Sequence, residues 1–326
     1  MDIEEFMEYI KEHILEVFEI KEGNGFSADD CEVMLGEVMR NNGIRLHGLS
    51  IRVNKERTSP NIILDSFYDA YQHGVPTSLI MEQIWSEYHR VKDMNISCSA
   101  DITNLEEVKD NIIMRLVNYD RNKDRLASCP HTKFLDMVIT YHYIAEMNAE
   151  GVSSALITDS EMALWGLTTE ELHELAVSNT ERLFPPHMES LSGVIAKAIK
   201  KKVPEECGMA EEIEMILQCL EETPDKINMW VLSNDQGRNG ANCILYKNQL
   251  AKVAEELDAN LYILPSSIHE VMLVVENEDT EPEYLQELVQ DANMSAVGLI
   301  DLLSDNIYYY DRDKDEVSIY EQTAVT

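Results

Sequence analysis

Cations are scarce in this chain. Lys and Arg number 26 against 61 Asp and Glu, a formal net charge of −35. That deficit argues against a protein that tracks the phosphate backbone of nucleic acid or lies on an anionic membrane surface. A partner steered by this charge is a basic or neutral protein. Long apolar runs are missing too: nothing reaches the roughly 18 residues that a membrane-spanning helix needs. The opening MDIEEFMEYIKEHILEVF is acidic and amphipathic, without the basic and apolar regions of a signal peptide. The six cysteines, Cys31, Cys98, Cys129, Cys207, Cys219 and Cys243, are scattered with no CxxC pair. That usage predicts reduced thiols in a cytoplasm and no closed zinc site; with no metal or nucleotide motif in the chain, no cofactor is expected. Dinucleotide-binding, P-loop, nucleophile-elbow and HExxH signatures are absent, as are internal repeats and low-complexity tracts.

What is present is apolar periodicity. At 326 residues and 44% hydrophobic, the chain can bury a sizeable core and is long enough for two domains. Ile3, Phe6, Met7, Ile10, Ile14, Val17 and Phe18 recur at helical spacing. Ser27, with Asp30 in the capping-box position, predicts a second helix burying Val33, Met34 and Val38. Residues 44–53 alternate as a strand whose apolar face changes at Gly48, which predicts a bulge there. Residues 61–64 pair back on it, and helices follow over 65–72 and from Thr77 or Ser78. Residues 111–117 and Phe134–Tyr143 read as strands, with Ser154–Thr158 a neighbour across Glu150-Gly151. Thr168-Thr-Glu-Glu171 is a capping box, and Phe184-Pro-Pro-His187 stops its helix. Helices are expected over 191–201 and 210–220. The last third alternates: a strand at 229–232, a helix at 248–257, strands at 261–264 and 271–275, a capping box at Thr280-Glu-Pro-Glu283, then a hairpin over 307–320. The sum is an α+β fold, with mixed sheets and flanking helices behind a helical N-terminal module that holds a small β-hairpin.

Two loops carry the candidate chemistry. The elbow Pro265-Ser-Ser-Ile-His-Glu270 offers Ser266, Ser267, His269 and Glu270. Ser267 and His269 fall on one face of an extended segment, yet catalytic triads are assembled from distant segments, so turn serines satisfying backbone groups are the larger expectation. The loop Asn234–Gly240 lies between a strand and a helix, where open α/β folds place ligands. Its ligand-binding candidates are Asn234, Gly237, Arg238, Asn239 and Gly240, with Arg238 the nearby cation. Elsewhere Asp311–Glu316 resembles a calcium loop but has Glu316 where glycine belongs, and reads as a hairpin turn. Cys129-Pro-His131 suggests a thiol–imidazole pair without an orienting partner. Lys197, Lys200, Lys201 and Lys202 read as a helix C-terminus favoured by its dipole.

The segments 118–141, 157–186, 231–246 and 261–274, together with 44–74, resemble an uncharacterised domain-of-unknown-function family of gut anaerobic bacteria over nearly the whole chain. A more distant similarity, to a second uncharacterised bacterial family, covers the C-terminal two-thirds. Neither implies an activity. The order of elements along the chain suggests a boundary near residue 224; the resemblance implies one folding unit over 118–320 and moves the expected boundary to 103, giving modules 1–103 and 104–326. The functional expectation is an intracellular, non-enzymatic binding or regulatory protein acting on a protein partner. One alternative is a hydrolase or small-ligand enzyme built from the 234–240 loop and the 265–270 elbow. The other is an acidic nucleic-acid mimic.

Overall fold

Phe6, Ile10, Ile14 and Phe18 repeat every four residues, and all four are fully buried along α1 (Ile3–Glu22). A capping box between Asp2 and Glu5 starts that helix. The computed structural model describes residues 1–23, 26–53, 59–93, 101–148, 151–202, 229–265 and 267–321. It divides into two compact units, Met1–Ser99 and Ala100–Thr326. In the first, α1 packs with α2 (Asp65–Gln72) and α3 (Thr77–Asp93) against a three-stranded sheet in the order β1 (Cys31–Met39), β2 (Arg45–Val53), β3 (Asn61–Ile63). Leu49, Ile51 and Ile62 of that sheet meet Ile80, Ile84 and Tyr88 of α3 in one core.

Two sequence expectations fail here. The segment after Ser27 is a strand, β1 (Cys31–Met39), not a helix, and Ser27 makes no side-chain cap. Val33 and Leu35 lie opposite Ile51 and Leu49 of β2 (Arg45–Val53), so a period of two turns Val33 and Leu35, half-buried, toward the core and puts Met34 and Val38 on the opposite face, where the helical reading had grouped Val33, Met34 and Val38 together. Pairing with the neighbouring strand overrides a local capping pattern. There is also no bulge at Gly48. The register runs unbroken through Gly36↔Gly48. The glycine is needed because the side chain of Asn61, on β3 (Asn61–Ile63), fills the place of a Cβ.

The second unit holds two antiparallel sheets. In one, β6 (Met137–Asn148) pairs along one side with β4 (Ile112–Asn118), and along the other with β5 (His131–Phe134) and then β7 (Gly151–Leu156). The other runs, in order of pairing, β13 (Glu316–Ile319), β12 (Tyr308–Asp311), β10 (Leu261–Leu264), β11 (Val271–Val275), β9 (Met229–Asn234) and β8 (Pro186–Ser190). Between them lies the main core. Ile112, Met114, Leu116, Ile139 and Tyr141 face Leu232, Leu261, Ile263 and Leu273, with Leu172 and Ala176 of the helix Thr169–Leu183 closing one side. The fold is α+β, and every sheet among the described residues is antiparallel rather than mixed.

Phe134–Tyr143 is two strands, not one. The chain turns at Leu135 (φ 56°) and Asp136. The Asp136 carboxylate there accepts from Tyr308 Oη (2.7 Å), Ser304 Oγ (2.7 Å) and Asn306 Nδ2 (3.0 Å). Past the proline stop, Pro186–Ser190 forms β8, an edge strand. The helix Pro282–Ser295 has Glu281 as N-cap without a side-chain cap; Thr280 Oγ1 instead donates to the Val275 carbonyl (2.9 Å). The apolar stripe expected over 210–220 lies outside the described residues. Among the described residues, no helix is long and apolar enough to cross a membrane.

β4 is an edge strand with its outer side buried. Such an edge would leave main-chain donors and acceptors unpaired in the core, at a cost of about 1–3 kcal/mol each. Side chains fill the role of a neighbouring strand. Asn179 Nδ2 donates to Ile112 O (3.0 Å), and Thr180 Oγ1 accepts from Met114 N (2.9 Å). Asn242 then bridges two groups, donating to Met114 O (2.9 Å) and accepting from Leu116 N (2.7 Å). All three of these side chains are buried.

Candidate functional site

The two loops singled out in the sequence meet. β9 (Met229–Asn234) leads into the first, and the elbow joins β10 (Leu261–Leu264) to β11 (Val271–Val275). Because β9 and β11 are paired, their connected loops emerge side by side. Gly240 N–H donates to His269 O (2.9 Å) and Ala241 N–H to Ile268 O (3.2 Å). Ser233 Oγ donates to the same His269 carbonyl (2.8 Å). The approach is close enough to exclude a side chain at position 240: a Cβ there would lie 2.5 Å from His269 O and 2.7 Å from Asn234 N.

The imidazole of His269 is bonded at both nitrogens. Nδ1 accepts the Asn239 N–H (3.2 Å), so the ring proton is on Nε2, which faces Asp301 Oδ1 at 3.2 Å. His269 and Asp301 side chains are each 37% exposed. Asp301 also accepts the Ile268 N–H at its main-chain oxygen (2.8 Å). Asp301 is the partner that sequence reading missed, since it lies 32 residues downstream in a turn where Leu299, Ile300, Leu302 and Leu303 flank it and nothing local marks it.

The other candidates serve their own loops. Ser267 Oγ accepts the main-chain N–H of His269 (3.0 Å), which is a serine turn and not a bond to the ring. Ser267 N–H donates to Glu270 O (3.3 Å), and the Glu270 side chain is exposed. Ser266 lies outside the described residues. Asn234 is buried, and its amide shapes the loop: Oδ1 accepts from Gln236 N (3.0 Å), and Nδ2 donates to Arg238 O (2.8 Å). Gly237 (φ 62°) and Asn239 (φ 52°) supply the left-handed turns. Arg238 is exposed, and its guanidinium lies beside Gly151, where a Cβ would meet Nη1 at 3.3 Å.

The remaining sequence candidates resolve into structure. His131 Nδ1 bonds to the Cys129 carbonyl (2.9 Å), not to its thiol, and burial pushes that thiol's pKa up. Asp311 lies in the hairpin turn, paired with Lys314 Nζ at 2.5 Å, which holds its carboxyl below the usual range. Lys197 pairs with Glu189 at 2.8 Å; the side chains of the other three lysines lie outside the described residues. Among the described residues, no group of three or more His, Cys, Asp or Glu is arranged to hold a metal ion. No curated protein and no solved structure matches the chain. A family model, described as a family of unknown function (DUF5688), matches residues 3–312. The chain therefore belongs to the DUF5688 family of unknown function.

Proposed function

We propose that this protein acts by binding a protein partner rather than by turning over a substrate. One observation carries the reading. Where the two loops converge, both ring nitrogens of His269, the Ser267 hydroxyl and the Asn234 amide are already committed to holding loop to loop. A general base needs a free nitrogen within reach of the proton it removes, and His269 offers none in this arrangement. With a net charge of −35, the favoured partner presents a basic surface. Residence in a reducing cytoplasm fits the free thiols of Cys31, Cys129 and Cys243, the cysteines among the described residues. The test is affinity capture on the immobilised protein, then calorimetry with the captured partner at low and high salt. A complex that weakens steeply with salt is expected. Turnover of ester, phosphoester or peptide substrates that H269A abolishes would overturn the reading.

A second reading, a small-ligand hydrolase, draws on the His269–Asp301 pair, since a carboxylate that orients an imidazole is part of the hydrolase triad. It requires the Asn239 N–H to leave Nδ1 when substrate arrives. The same substrate panel decides between the two.

A further inference from the structure

The outer face of the β4–β7 sheet, away from the main core, carries a positive charge that no carboxylate among the described residues pairs with. Arg115 projects from β4 opposite Thr140, and its guanidinium reaches across β6 to Ser154 Oγ on β7 (2.6 Å). Ser154 pairs with Ile144, so the line from Arg115 to Ser154 passes over His142, which shares that face. Apolar clusters flank this polar row. Val117, Val138, Leu126 and Cys129 lie to one side, Ile113, Ile144 and Phe184 to the other.

Two buried nitrogens in the row are unsatisfied: Arg115 Nε and His142 Nδ1. His142 is 4% exposed, and its Nε2 lies 3.3 Å from Thr140 Oγ1. Thr140 donates its own proton to Arg115 O (3.3 Å), which leaves Oγ1 to accept from Nε2–H. Nδ1 is therefore a bare acceptor, and Arg115 Nε is a bare donor. Among the described residues Arg115 forms no ion pair, although acids outnumber bases 61 to 26 in the chain. Buried guanidinium groups are ordinarily paired with carboxylates. The charge of Arg125 reaches both residues and adds to the same sign. Burial first, and the neighbouring positive charge second, pull the Arg115 pKa down to about 10 and hold the His142 imidazole well below its ordinary range. Arg115 as a whole is only half-buried and keeps part of its surface open to solvent.

We propose that this face binds a small oxyanion, a phosphate or a carboxylate, with the Arg115 guanidinium as its counter-charge and Ser154 and His142 beside it. A guanidinium with a free Nε–H presents the planar edge that oxyanions take in paired hydrogen bonds. A ligand that also carries a hydroxyl, such as hydrogen phosphate or a hydroxy acid, satisfies the His142 Nδ1 acceptor as well.

The test uses the full chain in a buffer without oxyanions. Thermal unfolding and calorimetry are followed while sodium phosphate or sodium acetate is titrated against sodium chloride at matched ionic strength. A rise in midpoint with phosphate or acetate beyond that with chloride is expected, and which of the two gives it assigns the ligand class. R115M removes the counter-charge and is expected to abolish the rise. Should R115M fail to fold, S154A keeps the charge and is expected to weaken the anion roughly tenfold, the order of one lost hydrogen bond. In the wild-type protein the 15N shift of His142 Nδ1 is expected to move on titration with the same salt. Equal midpoints in all three salts, or a response that survives R115M or S154A unchanged, would overturn the proposal.

Discussion

Gly240 is the point through which the two converging loops are joined. G240A forces a methyl group against His269 O and Asn234 N, at 2.5 and 2.7 Å, in a place with no room to yield. Overpacking of this kind costs about 1–3 kcal/mol. The expected outcome is a urea midpoint lowered accordingly, with faster amide exchange at Gly240 and Ala241. His142 gives a pH dependence. Burial, together with Arg115 and Arg125, holds its imidazole neutral well below the ordinary pKa of 6.5. The unfolded chain takes up that proton below pH 6.5 while the folded one does not, so stability falls as pH drops through that value. The slope from this group is about 1.4 kcal/mol per pH unit. H142Q is expected to flatten that limb, measured by denaturant unfolding at neutral and mildly acidic pH. The sequence made His269 and the glycine-bearing loop conspicuous because turn residues and titratable groups cluster there. It could not pair His269 with Asp301, or Arg115 with Ser154, because those contacts exist only once distant segments are folded.

β4 is held on one side by β6 and on the other by three side chains. N242A leaves Leu116 N–H and Met114 O facing the core with no partner. Unpaired buried groups cost about 1–3 kcal/mol each, so the variant is expected to lose about 2–6 kcal/mol of stability in urea unfolding. Exchange of the Leu116 amide should accelerate more than that of its neighbours on β6. T180V removes a single acceptor from Met114 N–H and is expected to cost about half as much. The elements themselves were largely legible. α1 announced itself by a four-residue repeat, the helix at Thr169 by its capping box, and β10 and β11 by short apolar runs. β1 was not, because a strand facing helices on one side can mimic helical spacing over a few residues. Asn179 and Thr180 did leave a trace: they fall three and four residues after Ala176, on the apolar face of their helix, where a polar pair needs a buried partner.

Each compact unit has its own core. Residues 1–99 expressed alone are therefore expected to unfold in one cooperative transition, seen by calorimetry, with m in proportion to a unit of that size. The net charge of −35 bears on the whole chain. Self-repulsion at that charge opposes compactness and is screened by salt, so the midpoint is expected to rise with sodium chloride from very low ionic strength. The α+β class was legible in the alternation of periods, and family membership in long segments of the chain. Packing between the two sheets was not, since it rests on residues such as Asp136 and Tyr308 that are 172 positions apart.

The seal on β4 also closes late. Asn242 follows Leu116 by 126 residues. At synthesis rates of about 5–20 residues per second, a nascent chain waits roughly 6–25 s after Leu116 before the last of the three capping side chains exists. During that interval the strand is a template for any other chain with an unpaired edge. A chain stopped short of residue 242 never acquires the cap. Such a product is expected to be retained by chaperones or to aggregate, rather than accumulate as a folded fragment.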